Sequence, residues 1–377
     1  MSLLDTAGPQ PVNAREINKP SDKPNNQRIK IHLEERFDRI IFKSYFVNYK
    51  ISSHNSKVSI TSMDAHSLTI ALKEKALLLD FDLIGATPAV TPPEIEHLEK
   101  WLADGLDGEM RFISRRMAAY RDPGLILPGV KSILMLGVNY RTAEPASAGP
   151  GQGKVSRYAW GGDYHDVIRR RLRELADFHR RLVPHCGIRG VVDTAPLLER
   201  SFARRAGLGW IGKNTLLVNE RFGSWIFLAA LLTTEKLQFD EPTLTSRCGD
   251  CRACLDACPT GALETPYRLD ARKCISYLTI ESRGQIPPEL RQACSDRLFG
   301  CDACQEACPW NRGTPASSEK SFQPQPGMNP VDLAELLTLD ETGFRRRFRN
   351  TPLWRIKHDG LLRNTAMVLE NKQPYCE

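Results

Sequence analysis

Eight of the eleven cysteines stand at spacings that hold metal clusters. One block reads Cys248-x-x-Cys251-x-x-Cys254-x-x-x-Cys258-Pro259, the other Cys301-x-x-Cys304-x-x-x-Cys308-Pro309. The first is the C-x2-C-x2-C-x3-C-P run, whose fourth cysteine ligates the other of two [4Fe–4S] clusters. The second lacks its leading cysteine because Leu298 stands there; Cys274 can fill the gap, with Cys294 as its competitor. Crossed ligation then gives Cys248, Cys251, Cys254 and Cys308 to one cluster, and Cys258, Cys274, Cys301 and Cys304 to the other. Two such clusters pass electrons one at a time, so the chemistry is redox.

Other readings of the cysteines fit less well. Zinc prefers two separated C-x2-C pairs around one ion. A disulfide framework needs an oxidising compartment, and no secretory signal is seen. A radical S-adenosylmethionine enzyme would need C-x3-C-x2-C. Cys186 and Cys376 read as ordinary thiols.

A second candidate site lies in Val192-Asp193-Thr194-Ala195-Pro196-Leu197-Leu198-Glu199-Arg200, running on to Gly207-Leu208-Gly209-Trp210-Ile211-Gly212-Lys213-Asn214. A strand ends in an acid, and glycines bring backbone close to something ahead of a cation and an amide. Gly207-x-Gly209-x-x-Gly212 follows a helix and precedes a strand, the reverse of the dinucleotide-binding order, so that reading is rejected. The bland alternative for Asp193 is an acid at a helix N-terminus. In Ser156-Arg157-Tyr158-Ala159-Trp160-Gly161-Gly162-Asp163-Tyr164-His165, Asp163 is a candidate N-cap, and His165 alone reads as a surface or satisfied core histidine. Arg169-Arg170-Arg171-Leu172-Arg173 reads as a solvated face that could meet phosphate.

The elements that must position these groups follow from periodicity. Helices are expected at 65–80, 93–104, 163–183 and 196–206. Strands are expected at 83–86, 131–139, 190–193, 215–219 and 224–233. The chain of 377 residues, 41% hydrophobic with net charge +7, allows two or three domains. The fold class expected is α/β (α+β), with a mixed sheet in residues 63–244. A bacterial-ferredoxin-like two-cluster domain at 245–312 follows, in which metal replaces a hydrophobic core. Residues 313–377 read as a Pro/Ser-rich linker and short helical tail. Residues 1–62 carry ten Lys/Arg against six Asp/Glu and read as a disordered or non-native extension, with Met63 the working start. No membrane span, a monomer and a reducing cytoplasm are expected.

Taken together, several segments resemble the epoxyqueuosine reductases, cobalamin-dependent iron–sulfur enzymes of tRNA modification. They are Tyr120-Arg121-Asp122-Pro123, Ser156 to His165, Val192-Asp193-Thr194 through Gly212-Lys213-Asn214, the first cysteine block, Cys274-Ile275-Ser276-Tyr277-Leu278-Thr279, and Gly300-Cys301 through Pro309-Trp310-Asn311. The resemblance spans roughly 63–365, and the long helical-repeat tail of some members is absent. It implies a tRNA bearing epoxyqueuosine at the wobble position, reduced to queuosine by cob(I)alamin fed from the clusters. It implies Asp193 as proton donor, with a raised pKa, and Arg121, Ser156, Asp193, Lys213 and Asn214 as cobalamin-pocket residues. His165 and Arg200 are placed in the active-site surround or on the tRNA face. The low-potential electron donor is left open, as is whether cobalt attacks carbon or oxygen.

Two other functions compete. A reductive dehalogenase would share the cofactors but commonly carries a twin-arginine signal, which is not seen. A ferredoxin-type electron carrier would not need the large α/β region with its pocket motif.

Overall fold

The computed structural model describes residues 63–372; the expectation for residues 1–62, and Cys376, lie outside the described residues. Helix α1 (Ala65–Leu78) opens on Asp64, whose carboxylate accepts from Ser67 N. Strands β1 (Leu83–Pro88) and β2 (Ser132–Asn139) follow, separated by the helix Ile95–Ala103 and short helical turns. After β3 (Gln152–Val155) come α2 (Tyr164–Leu182), β4 (Ile188–Val191), α3 (Glu199–Arg205), β5 (Trp210–Ile211), β6 (Leu217–Val218) and β7 (Ile226–Thr233). Short helices then carry the cysteine blocks around β8 (Arg297–Phe299). The chain ends through β9 (Val331–Asp332), α4 (Leu333–Leu337), α5 (Glu341–Phe348) and α6 (Lys357–Lys372).

The main sheet has the order β1-β2-β7-β4. All eight residues of β2 are buried, so both faces of the sheet are covered. Ile133 and Met135 on β2, with Ala230 and Leu232 on β7, share one apolar cluster with Phe202 and Ala203 of α3. By the period-two pleat, Leu134 and Leu136 face the opposite side, towards α1 and α2. The α/β class therefore holds, but parallel pairing sits elsewhere than expected. Every pairing in this sheet is antiparallel. Alternating strands and helices do not fix strand direction; β7 slots between β2 and β4 and runs against both.

Parallel pairing occurs between β3 and β8, while β9 pairs with β3 antiparallel. This small mixed sheet takes one strand from each of the three expected segments. Under it lies a second core, in which Val155 and Trp160 pack with Ile275, Leu278, Leu298 and Phe299 of the cysteine region and with Phe344, Phe348, Leu361 and Val368 of the C-terminal helices. Two expectations are corrected by this core. The cysteine region has an apolar core beside its cysteines, and residues 333–372 are a wall of that core rather than an appended tail. The Pro/Ser-rich linker is also strapped down: Arg171 pairs with Glu319, and Gln325 N donates to Trp160 O at 2.9 Å. The basic run on α2 is accordingly split, with Arg171 buried while Arg169, Arg170 and Arg173 are exposed. No helix among the described residues is long and apolar enough to cross a membrane.

Candidate functional site

The cysteines fall into two neighbouring groups. Cys248, Cys251, Cys254 and Cys308 line one cavity, together with Gly212, Lys213, Asn214 and Trp310. Burial raises the Cys254 thiol, and the proximity of Cys308, Cys248 and Cys251 raises it further. In the second group, burial pushes Cys301 up to about 11, with Cys274 adding to it. Cys274 itself is raised by burial and by Cys258. Cys304 is raised well above its ordinary value by burial, then by Cys301 and Cys274, with a smaller push from Cys254. The two groups therefore abut. Thiolates crowded in this way need a cationic iron–sulfur core to deprotonate together. Among the described residues, no three His, Cys, Asp or Glu side chains converge as a single ion requires. Cys294 is fully buried in the second apolar core; the charged groups acting on its thiol are Arg297 and Arg363, not cysteines.

The backbone that Gly207 and Gly209 bring close is the protein's own, while Gly212 lies on the wall of the first cysteine cavity. A Cβ on Gly209 would lie 2.2 Å from Val218 O, and one on Gly207, at φ +77°, 2.7 Å from Glu241 O. What the segment delivers is Lys213, whose Nζ donates to Gly249 O (2.6 Å) and Cys251 O (2.9 Å), clamping the first cysteine loop. Asn214 is buried beside it, its Oδ1 accepting from Leu216 N. Arg200 donates to Thr215 O at 2.6 Å, so the helix just after Asp193 is tied to the loop lining the first cysteine cavity.

Asp193 lies two residues beyond β4 at φ +56°, a left-handed conformation that costs an L residue about 1 kcal/mol or more. Its side chain is 51% exposed. Both of its recorded side-chain partners bind the same oxygen: the Tyr164 hydroxyl donates to Oδ2 at 3.2 Å, and His165 Nε2 lies 3.3 Å from it. Tyr164 is stacked on His165 and on Phe227 of β7, each at 4.1 Å, which fixes this pair over the sheet. Asp163 is the N-cap of α2, as its sequence position suggests, and its Oδ1 also lies 2.7 Å from His165 Nδ1. With a carboxylate at each ring nitrogen, His165 can satisfy both only as the doubly protonated cation.

The titration behaviour agrees. Burial pulls His165 down, but its bonds to Asp163 and Asp193 outweigh that and raise it to about 9. Asp193 is lowered, chiefly by the His165 hydrogen bond, against a raising effect of burial. The expected raised pKa of Asp193 is thus not found in the free protein: the proton rests on His165 because a half-exposed carboxylate facing a cation ionises easily. Glu199 is pushed up to about 8, by burial first and then by the Asp193 charge; its Oε1 accepts from Asp193 N at 2.9 Å.

The remaining expected site residues are not gathered round Asp193 by direct contact. Arg121 is exposed and paired with Glu99 at 2.5 Å. Ser156 is buried, with its hydroxyl donating to Asp302 Oδ1 at 3.0 Å. Sequence reasoning gave no role to Arg116, whose guanidinium donates to Thr194 O at 3.0 Å, to Glu199, or to Arg355. Arg355 acts electrostatically on Asp193 and Tyr158 while paired with Glu281 at 2.7 Å. Glu199 lay inside a segment already singled out. Arg355 comes from the far end of the chain and carried no local signal.

Comparison with known proteins gives a consistent set of relatives. Residues 247–311 match a family described as 4Fe-4S double cluster binding domain, and residues 121–194 one described as Epoxyqueuosine reductase QueG, DUF1730. An epoxyqueuosine reductase of Pseudomonas aeruginosa is 40% identical over 317 residues, covering 83% of this chain and 88% of that protein. A crystal structure of an epoxyqueuosine reductase with a tRNA-Tyr epoxyqueuosine-modified stem loop superposes with a TM-score of 0.75 at 32% identity, covering 82% of each chain. A Bacillus subtilis epoxyqueuosine reductase, with its catalytic aspartate loop swung out of the active site, gives the same TM-score, identity and coverage.

Proposed function

The chain belongs to the epoxyqueuosine reductase family, an oxidoreductase family, and from that premise we propose how it reduces epoxyqueuosine to queuosine in the anticodon loop of a tRNA. The observation that carries the reading is the Asp163–His165–Asp193 chain of hydrogen bonds, open to solvent at Asp193, with Arg200 of the following helix tied to Thr215 beside the first cysteine cavity.

The residues present fit the groups this function implies. Cys248, Cys251, Cys254 and Cys308 would hold one [4Fe–4S] cluster, and Cys258, Cys274, Cys301 and Cys304 the other. For cobalamin the fit rests on Asp193: its recorded bonds to Tyr164 and His165 both occupy Oδ2 and its side chain is half exposed. Arg121, Lys213 and Asn214 would hold the cofactor's periphery. Arg121 is free to do so because an exposed ion pair is worth at most about 1 kcal/mol. Ser156, whose hydroxyl is committed to Asp302, would support the site from behind. When bound, cobalamin would supply an electron-rich cobalt centre, with the clusters supplying its electrons singly.

The protein's own part is proton delivery and substrate placement. Removing the epoxide oxygen breaks both of its C–O bonds, takes two electrons by way of the clusters and two protons, and releases the oxygen as water. Asp193 passes a proton on, and His165, held protonated between two carboxylates, replenishes it. Tyr164 orients the Asp193 carboxylate and keeps the imidazole stacked in line. The modified base is extruded from a single-stranded loop at little cost. Arg355 and Arg200, both of which act electrostatically with Asp193, are placed to meet its flanking phosphates or steer the leaving oxygen. The Asp193 loop is proposed to share the mobility seen in the Bacillus subtilis relative.

The test is mass analysis of tRNA nucleosides after incubating cluster-reconstituted protein with cobalamin, a strong reductant and epoxyqueuosine-bearing tRNA. Conversion to queuosine is expected, dependent on cobalamin and abolished in Asp193→Asn. Unchanged substrate with both clusters and cobalamin loaded would overturn the reading.

A further inference from the structure

We propose that Glu199 is a positioning residue: its carboxylate latches the 192–198 loop so that Asp193 presents its side chain to His165 and Tyr164. The proposal rests on the reading of Asp193 as the acid.

The argument starts from the backbone. Between β4 and α3 the loop has no regular structure, and its internal bonds, Thr194 N to Val192 O and Leu197 N to Ala195 O, are local. Two recorded bonds tie its backbone outward near Asp193: the Asp193 amide to Glu199 Oε1 at 2.9 Å, and Thr194 O to Arg116 at 3.0 Å. Arg116 is exposed, so its long side chain is a weak tether. Glu199 is better anchored. It opens α3, whose Phe202 and Ala203 are fully buried against the main sheet, so the acceptor sits on a rigid element.

The first-turn position makes this use of Glu199 informative. An acid there ordinarily serves the free amides of its own helix. The N-cap of α3, Leu198, supplies no side-chain cap; even so, Glu199 reaches back six residues to the Asp193 amide. That amide belongs to a residue held at φ +56°. A left-handed aspartate persists only where its surroundings over-determine it. Without the latch, Asp193 relaxes towards an ordinary negative φ, and its side chain leaves the His165 and Tyr164 donors.

The test uses the full chain with clusters reconstituted and compares Glu199→Ala with Glu199→Gln, whose amide oxygen still accepts. Hydrogen exchange over residues 192–198 reads the latch directly. In E199A, exchange at the Asp193 amide is expected to rise about tenfold or more, and kcat to fall roughly 10–100-fold, with KM, iron content and melting temperature unchanged. E199Q is expected to restore both exchange and kcat to within a few-fold of the parent. Unchanged exchange in E199A overturns the proposal, as does an E199Q as impaired as E199A. Failure of E199A to fold or to hold its clusters assigns Glu199 to the fold and overturns it too. If Asp193→Asn retains full activity, the reading of Asp193 as the acid fails on its own, separately from the exchange result.

Discussion

Replacing His165 by glutamine tests where the site keeps its proton. The imidazole is raised from 6.5 to about 9, which corresponds to about 3 kcal/mol of preference for the cation at about 1.4 kcal/mol per pH unit. Its side chain is only 16% exposed, so solvent screens this little. The pair is therefore loaded at neutral pH, and activity is expected to fall as pH rises through about 9. Folding stability should follow the same sign. The His165 contribution is fully present below about 6.5 and is lost as pH rises through about 9, because the folded protein binds the extra proton. In H165Q the reservoir is gone. Without the imidazolium beside it, Asp193 must draw its proton from solvent. Single-turnover conversion at pH 7 should then drop by about 10²–10³ and recover as pH is lowered, with the limb near 9 abolished. The assay is nucleoside mass analysis across pH 5 to 10, with cluster absorption followed in parallel. An H165Q protein that keeps the limb near 9, or loses only a few-fold at pH 7 with clusters intact, refutes the reasoning.

Three further outcomes are expected. Cys274→Ala should lose about half the bound iron, whereas Cys294→Ala, a fully buried thiol in an apolar core, should keep all of it and cost about 1 kcal/mol of stability; iron analysis and melting separate them. Phe344→Ala removes a fully buried ring that stacks 5.5 Å from Trp354, and should destabilise by about 3–5 kcal/mol and loosen the second cysteine group. A normal melting profile would show that the C-terminal helices are not part of that core. Arg355→Ala should weaken tRNA binding and reduce the log–log salt slope by about one, with iron content unchanged. A salt slope identical to the parent's would remove Arg355 from the RNA face.

Much of the chemistry was legible in the residues alone. Cluster ligation depends on short intervals along the chain, so the two cysteine blocks announced themselves. The period of the apolar residues gave α1, β2, α2 and β7 nearly to their ends. The acid after β4 was likewise visible, although the strand stops at Val191 and Asp193 sits in the loop beyond it rather than at the strand end expected. What sequence could not give were relations between distant segments. Strand direction in the main sheet depends on which edges meet: β1 lies antiparallel to β2, and β7 enters between β2 and β4 antiparallel to both. The C-terminal helices read as a tail because their apolar residues reveal no partner until Phe344 and Leu361 are seen against Leu298 and Phe299. The protonation of the site was decided the same way. Asp193 alone, buried under a cofactor, invites a raised pKa; only the fold brings His165, already held by Asp163, against it. The direct hydrogen bonds among those three groups, helped by their charges, then favour the proton on the imidazole over the carboxylate.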